Sequence, residues 1–536
     1  MSAPRAARAL AAVALLTLGA SGCAGRGAYP ARPAPGLLPG HSPLLSATLG
    51  QTDAWLRHYV MEGKPDSALL LLQPDSRVRP RDELLRQLQL GVVLHYAGSW
   101  EESNAAFEWA EREAEGRWTR SLARQAGSLL ISDAVVDYVP PPGELAMIPY
   151  YRLLNYLALG RSDDALVEAR KAGALMARLA DGQAACVGDG FVHYLAGTAF
   201  RGAGERNDAL VAYRNAERSF GECAGRDGAR APEWLGPDLY RAAVAAGVGE
   251  VAAAAAERYR LPAGGAAAES DDGELVVFVE NGWVAHRASA DLHVPIWPGQ
   301  LDDLDSGDEG TVLDAATQVI GRLAGNAVEQ AYWGSATDEH PAFQVSDAID
   351  GAYILKLAWP VYRLEACEAP RVRVVVDGEP VESPAAQDLS AVMFRRWEAA
   401  RAGALTRMVG RGIVKFLASR ELERKAEKQG GEAAGWLVAR LSNLAGNALE
   451  RADTRSWSLL PDRISVARLR LPPGEHRVQL EVLGADGAVS ETLDMGTVTL
   501  EPRGTLILNR RVWGSGMGDV RGLAAAVDAK GRTSSR

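Results

Sequence analysis

The stretch LGVVLHYAGSWEESNAAFEWA, residues 90–110, decides the fold of the N-terminal half of the chain. Apolar residues recur at helical spacing on both sides of Gly98, which predicts two helices joined by a tight turn at that glycine. Ser103 stands five positions after the glycine and Phe107 nine positions after it. Because a small side chain lets the second helix approach the first closely, the stretch predicts a helix-turn-helix unit.

The same arrangement recurs three more times, and each time an alanine follows the glycine by five positions: Gly63 with Ala68, Gly160 with Ala165, and Gly204 with Ala209. The four glycines are separated by 35, 62 and 44 residues. The pattern resembles the tetratricopeptide repeat, whose period is about 34 residues, over roughly residues 51–260, and the repeat domain is predicted to span residues 51–262. That resemblance implies a concave groove that binds peptide segments, and a rigid spacer is the alternative. Farther on, the alanine-rich residues 242–256 are interpreted as one packed helix.

Two cysteines lie almost symmetrically about Gly204. Cys186 is eighteen residues before it and Cys223 is nineteen residues after it. Since such positions meet at the open end of an antiparallel helical hairpin, we predict a disulfide in an oxidising compartment, with two buried thiols as the alternative. Cys367 is then left unpaired.

The N-terminus has the outline of a secretory signal peptide over residues 1–22. Arg5 and Arg8 precede an apolar run that is too short to span a bilayer as a helix. The following residues, Ala20-Ser21-Gly22-Cys23, resemble the bacterial lipobox. That resemblance implies a lipidated Cys23 at the mature N-terminus, and Ala24 at the next position implies the outer membrane.

A tether is predicted between the lipid anchor and the folded chain. Residues 23–50 are rich in proline and glycine and contain no acidic residue, and the first acid of the chain is Asp53. Such a composition cannot bury a core. At about 3.1 Å per residue, the segment reaches up to ~80 Å.

The pattern changes from helical to strand-like after a predicted linker at residues 263–273. Short β-branched runs separated by turn signals then predict a β-rich domain over residues 274–513, with helical insertions at 312–333 and 389–452 and a flexible tail at 514–536. The turn signals include Asn281-Gly282, which is typical of a hairpin. The predicted fold class is α+β multidomain: a tetratricopeptide-like helical array followed by a β-sandwich-like domain with helical insertions.

Within the second insertion, residues 391–428 contain ten basic and four acidic residues, and their apolar residues recur at helical spacing. A basic amphipathic helix binds an anionic membrane or a charged partner, or is a solvated face over a packed one. The sequence leaves both interpretations open.

The ADTRSW sequence at residues 452–457, followed by Leu460-Pro461, forms a distinctive junction. Together with Glu280-Asn281-Gly282, the run LAWPVY at residues 357–362, the lipobox and the repeats, it resembles a family of uncharacterised bacterial lipoproteins with an N-terminal tetratricopeptide-like region. That family carries no established activity. From the residues alone, Asp453 or Thr454 is expected to cap a turn and Arg455 to stack on Trp457, either as a structural hinge or as a ligand-binding corner.

Motifs of catalysis and of metal or phosphate binding are missing from the sequence. The eight histidines show no ligand spacing, and no H-E-x-x-H, G-x-S-x-G or G-x-x-x-x-G-K-[ST] sequence occurs. The acidic cluster at residues 302–309 does not match a calcium loop. A formal net charge of −10 argues against binding to nucleic acid. We therefore predict no catalytic residue, no metal and no cofactor.

These features predict an outer-membrane lipoprotein that faces the periplasm and is not an enzyme. Its expected role is that of a protein-interaction scaffold or accessory factor in cell-envelope assembly, with an envelope protein or peptide in the repeat groove. The alternative is a protein that binds or modifies peptidoglycan or another cell-wall glycan.

Overall fold

The structure is a computed structural model that describes residues 49–74, 79–124, 137–181, 186, 188–223, 230–261, 271–296, 353–364, 371–399, 422, 425–429, 431, 452–484, 486–513 and 523–527. Several predicted features lie outside these residues, namely the signal peptide, Cys23, almost all of the tether, the 263–270 part of the linker, Cys367, the helix at 312–333 and most of the insertion at 389–452. Of that insertion, residues 389–399 are helical.

The N-terminal half is an array of antiparallel helix pairs. In chain order the helices are α1 (Gln51–Met61), α2 (Pro65–Leu71), α3 (Glu83–Ala97), α4 (Trp100–Arg124), the short α5 (Pro142–Leu145), α6 (Met147–Ala158), α7 (Ser162–Asp181), α8 (Asp189–Gly202), α9 (Arg206–Cys223), α10 (Leu235–Ala245) and α11 (Gly249–Arg258). The pairs are α1 with α2, α3 with α4, α6 with α7, α8 with α9, and α10 with α11.

The four predicted glycines lie at the turns between paired helices. Each has a positive φ, from 64° at Gly63 to 80° at Gly204, which L side chains rarely adopt. The small residue five positions after each glycine is buried, as the repeat pattern predicts: Ala68, Ser103, Ala165 and Ala209. A helical array of this kind is therefore present.

A fifth pair was not recognised from the sequence. The alanine-rich residues 242–256 form two helices, because Gly247 turns the chain with a φ of 74°. Ala252, five residues later, is buried like its equivalents in the other units. The interpretation of this stretch as a single helix was wrong because alanine favours helix on both sides of the break.

The strands are β1 (Gly273–Asn281), β2 (His286–Ile296), β3 (Tyr353–Arg363), β4 (Arg371–Val376), β5 (Glu379–Glu382), β6 (Ala385–Asp388), β7 (Arg463–Leu471), β8 (Gly474–Leu483), β9 (Val489–Leu500), β10 (Thr505–Val512) and β11 (Leu523–Val527). They form a first sheet with the order β11-β10-β1-β7-β6, a second sheet with the order β5-β4-β8-β9, and a β2-β3 ribbon. In the first sheet β1 is parallel to β10 and antiparallel to β7.

The first sheet is covered on both faces. Leu275, Val277 and Val279 of β1 belong to one buried cluster with residues of the second sheet, so the two sheets pack face to face as a sandwich. The alternate residues Val276 and Phe278 belong to the cluster formed by the helical array. Since neighbouring side chains of a strand point to opposite faces, the architecture has three layers: helices, first sheet and second sheet.

Three details of the β-rich half differ from the sequence analysis. Asn281-Gly282 does not close a hairpin, because β1 pairs with β7 and β10, whereas β2 pairs with β3. The apolar runs at residues 488–493 and 496–500, which predict two separate strands, form the single strand β9 with an irregular register at Gly496. The predicted flexible tail contains β11, which pairs with β10.

Candidate functional site at the inner face of the array

The ADTRSW junction lies against the inner face of the array, the face that carries the first helices of the pairs. Trp457 is fully buried, and its ring lies 5.8 Å from that of Phe107 and 6.2 Å from that of Tyr151, measured between centroids. Its backbone nitrogen donates a hydrogen bond of 3.1 Å to Glu144 Oε1. The junction is therefore part of the core between the helices and the sheet.

Arg57 of α1 holds the next residue of the junction. Its Nε and Nη2 donate to the carbonyl oxygen of Ser458 at 3.1 and 2.9 Å, and Nη2 also donates to the carbonyl oxygen of Val284 at 3.2 Å. Gln89 Nε2 donates to the Ser458 hydroxyl at 3.1 Å. These bonds fix the backbone of the junction to α1 and α3.

Asp453 and Arg455 form a local turn that is anchored to the array. The Arg455 backbone nitrogen and its Nε donate to Asp453 Oδ1 at 3.1 and 2.8 Å, so Asp453 caps the turn as the sequence suggested. Arg455 Nη1 donates to Asp82 at 2.9 Å. The ring that lies under the Arg455 guanidinium, at 5.6 Å, is that of Tyr138. The expected stacking partner, Trp457, is instead buried against helices α4 and α6.

A buried carboxylate, that of Glu280, connects the sheet to the array. The hydroxyls of Tyr96, Tyr150 and Tyr151 donate to it at 2.5, 2.9 and 3.2 Å. Arg511, on the neighbouring strand, lies beside it with Nη1 at 3.4 Å from Oε2, and both side chains are fully buried. Burial raises the pKa of all three tyrosines, and the negative charge of Glu280 adds to this increase. The tyrosines are therefore protonated donors to this carboxylate.

The second terminal nitrogen of Arg511 binds backbone carbonyl oxygens on two segments. Nη2 donates to the carbonyl oxygens of Gly282 and Leu460 at 2.5 and 3.2 Å. The guanidinium also lies over the ring of Trp283 at 4.7 Å. Arg511 therefore connects the residue after the end of β1 to the segment that follows the ADTRSW junction.

A second buried group links α8 and α10 to the sheet. Arg468 of β7 binds both Asp238 and Glu274, and Arg201 also binds Glu274. Burial alone would raise the pKa of Asp238, but the guanidinium groups of Arg468, Arg201 and Arg241 lower it to about 2. The carboxylate is therefore charged, and it ties the last helix pair to the sheet.

Glu144 of α5 lies in a third buried polar cluster. It accepts hydrogen bonds from Tyr138 and from the Trp457 backbone. Burial raises its pKa to about 7, against the lowering influence of the Arg287 charge. Glu144 is thus the titratable contact between the array and the ADTRSW junction.

Glu144 is expected to make the fold less stable as the pH rises. An unfolded glutamate has a pKa near 4.5, and the folded value is about 7, so the folded state holds the extra proton between those values. The free energy of unfolding should fall by up to about 3 kcal/mol across this range. Urea unfolding of wild type and Glu144→Gln from about pH 4 to about pH 8 measures the slope of the free energy of unfolding against pH.

In the Glu144→Gln variant this contribution to the slope should disappear, because glutamine keeps an oxygen acceptor but does not titrate. The exposed Glu205, changed to glutamine, is the matched control and should leave the slope as in the wild type. An unchanged slope in Glu144→Gln would contradict the assignment.

The structure also joins Cys186 and Cys223 in a disulfide, with their Cα atoms 5.3 Å apart. It connects the chain just before α8 to the last residue of α9, at the open end of that hairpin. The predicted cysteine pair is therefore together in space.

The buried carboxylates were not identified as a site from the sequence. Glu280 entered only through the resemblance to a lipoprotein family, and Glu144, Arg57 and Arg511 were not singled out. A charged residue at the end of an apolar β-branched run was the available signal for Glu280. The sequence held no signal that its tyrosine partners lie near it, because Tyr96, for example, is 184 residues away.

Among the residues described, no three His, Cys, Asp or Glu side chains are grouped so that they could hold a metal ion. A cleft of about 230 Å³ between α9 and α11 is lined by Arg214, Glu217 and Glu250, among others. No helix in the described ranges combines the length and hydrophobicity needed to cross a bilayer.

No protein-family model matches the chain, and no characterised protein is significantly similar to it in sequence. Solved structures give only weak matches. MamA residues 41 to the end, from Desulfovibrio magneticus RS-1, is 16% identical over 39% of this chain and 94% of that chain, with a TM-score of 0.23. A double mutant of MamA RS-1 gives 16% identity, the same coverages and a TM-score of 0.24. BtubC (BKLC) from P. vanneervenii gives 17% identity, 48% and 89% coverage, and a TM-score of 0.28. Scores this low transfer nothing from those proteins to this chain.

Proposed function

We propose that the protein is a lipid-anchored interaction scaffold of the bacterial outer membrane that faces the periplasm and serves as an accessory factor in envelope assembly. The observation that carries this proposal is that the inner face of the array is buried within the protein, whereas its outer surface is exposed. The inner face, where the resemblance to tetratricopeptide proteins implied a peptide groove, is covered by the chain's own sheet and junction. A partner is therefore expected on the outer surface, which the second helices of the pairs form.

The outer surface has a repeating apolar feature. Val167 of α7 and Val211 of α9 each stand seven residues after their turn glycine, and they are 44% and 56% exposed. Between these helices, Arg170 pairs with Asp208 at 2.7 Å. Equivalent positions on successive helices give a regular surface that mixes apolar and charged groups, which is typical of protein interfaces.

The proposed location is supported by two independent features. The lipobox-like sequence ending at Cys23 supports lipid anchoring. The disulfide between Cys186 and Cys223 supports an oxidising compartment, since such bonds are rare in the reducing cytosol.

The test is a crosslinking pull-down of the full chain from intact cells, analysed by mass spectrometry. Wild type should recover a small set of envelope proteins. Val167→Asp/Val211→Asp should recover at least about tenfold less of them, since a carboxylate buried in an interface costs well over 1.4 kcal/mol. Cys23→Ala should reduce recovery by removing the protein from the membrane.

Val489→Asp, at a residue of β9 that is 45% exposed, is the matched control and should recover the wild-type set. Undiminished recovery by Val167→Asp/Val211→Asp would show that partners do not use this surface. If wild type itself enriches no protein, the scaffold role is wrong.

A further inference from the structure

The first helix pair carries exposed apolar side chains beside the point where the tether joins the fold. Trp55 of α1 is 45% exposed, and Leu70 and Leu71 of α2 are 72% and 42% exposed. Trp55 is eight residues before the turn at Gly63, and Leu71 is eight residues after it. In an antiparallel pair both therefore lie at the open end of the hairpin, where the chain enters through Gly50.

The exposed tryptophan belongs to a small aromatic group. Its ring stacks on that of Tyr59, with centroids 5.6 Å apart and planes at 27°. The ring of His58 meets it edge-on at 5.4 Å. Tryptophan and tyrosine combine an apolar body with a polar atom, which suits the boundary between lipid headgroups and acyl chains.

The adjoining tether is complementary to an anionic lipid surface. Between Cys23 and Gly50 the sequence contains Arg26 and Arg32 and no acidic residue. Basic residues next to a membrane are attracted to anionic headgroups. The tether also begins at the proposed lipid anchor and ends at α1, so the α1–α2 hairpin is the first folded element that follows the anchor in the chain.

We propose that the open end of the α1–α2 hairpin, defined by Trp55, Leu70 and Leu71, docks on the bilayer in which Cys23 is anchored. This proposal rests on the membrane location proposed above. The aromatic ring and the two leucines enter the headgroup region, and the lipid chain on Cys23 holds them at high local concentration there. Docking of the hairpin fixes one end of the array at the membrane.

The test uses the full lipidated protein in vesicles of phosphatidylethanolamine and phosphatidylglycerol, with or without brominated acyl chains that quench a tryptophan they touch. Brominated lipid should quench wild type. Trp55→Phe should lose that quenching, because it keeps the apolar surface but removes the fluorophore. The matched control, Trp109→Phe, changes a partly buried tryptophan of α4 and should keep it.

A second pair of variants tests docking itself. Leu70→Glu/Leu71→Glu should lose the quenching while Trp55 remains, whereas Val211→Glu/Val244→Glu, at exposed valines of α9 and α10, should keep it. Circular dichroism confirms that each variant is folded. Equal quenching in wild type and Trp55→Phe, or in wild type and Leu70→Glu/Leu71→Glu, overturns the proposal.

Mass spectrometry separates this proposal from the anchoring on which it rests. If Cys23 carries no acyl group, the anchoring is wrong, and the same variants are then compared by co-sedimentation with added vesicles. Partitioning about tenfold weaker in Leu70→Glu/Leu71→Glu than in wild type supports the docking surface. Equal partitioning overturns it.

Discussion

Glu280→Ala is expected to lower the free energy of unfolding by about 3–5 kcal/mol, because it leaves the buried charge of Arg511 without its carboxylate. Arg511 and Glu280 are both fully buried, so water cannot replace the lost partner. The three tyrosine hydroxyls that converge on the carboxylate also lose their acceptor. Urea unfolding followed by circular dichroism and tryptophan fluorescence measures the loss.

Two comparisons make this result specific. Glu115→Ala breaks an exposed ion pair with Arg178 and should change stability by less than about 1 kcal/mol. Glu280→Ala/Arg511→Met removes both charges and should be less destabilised than Glu280→Ala alone. If the single variant loses less than the surface control, the Glu280 cluster does not hold the sheet to the array.

Trp457→Ala is expected to cost about 3–5 kcal/mol, as is usual when a large buried aromatic is truncated. Trp457 packs against the stacked aromatic rings of Phe107 and Tyr151, so alanine leaves a cavity where the junction meets the array. The same unfolding measurement applies, and faster proteolysis within the array should accompany the loss because its inner face is less well covered.

Trp55→Ala is the control for this prediction, since Trp55 is nearly half exposed and its truncation should change stability far less. Trp457→Phe keeps most of the volume and should lie between wild type and Trp457→Ala. Equal stability of Trp457→Ala and Trp55→Ala would mean that the junction is not part of the core.

The parts of the fold that depend on neighbouring residues were predictable from the sequence. Gly63, Gly98, Gly160 and Gly204 were correctly placed at turns because a positive φ is a local requirement that glycine meets without strain. The β-branched runs at residues 371–376 and 505–512 predict strands with the same bounds as β4 and β10, because both runs end at clear turn signals. The turn at Gly247 was not predicted, because the alanines on both sides of it favour a continuous helix.

The site depends on contacts that local patterns do not contain. Arg57 binds the carbonyl oxygen of a residue 401 positions later, and Trp457 binds a carboxylate 313 positions earlier. Neither pairing follows from spacing along one helix or strand. The ADTRSW junction is distinctive in the sequence. Its contacts with both the helices and the sheet follow only from the three-dimensional structure, which brings distant segments together.

The position of β10 beside β1 has a consequence for how the protein is made. The two strands pair in parallel, residue 274 with residue 505, although more than two hundred residues separate them. During synthesis and export, the helices emerge long before the strand that completes the sheet against them. A chain truncated before residue 505 would lack β10 and the Arg511 contact and would expose the aromatic inner face of its helices, so we expect such products to aggregate or be degraded rather than to persist as shorter functional forms.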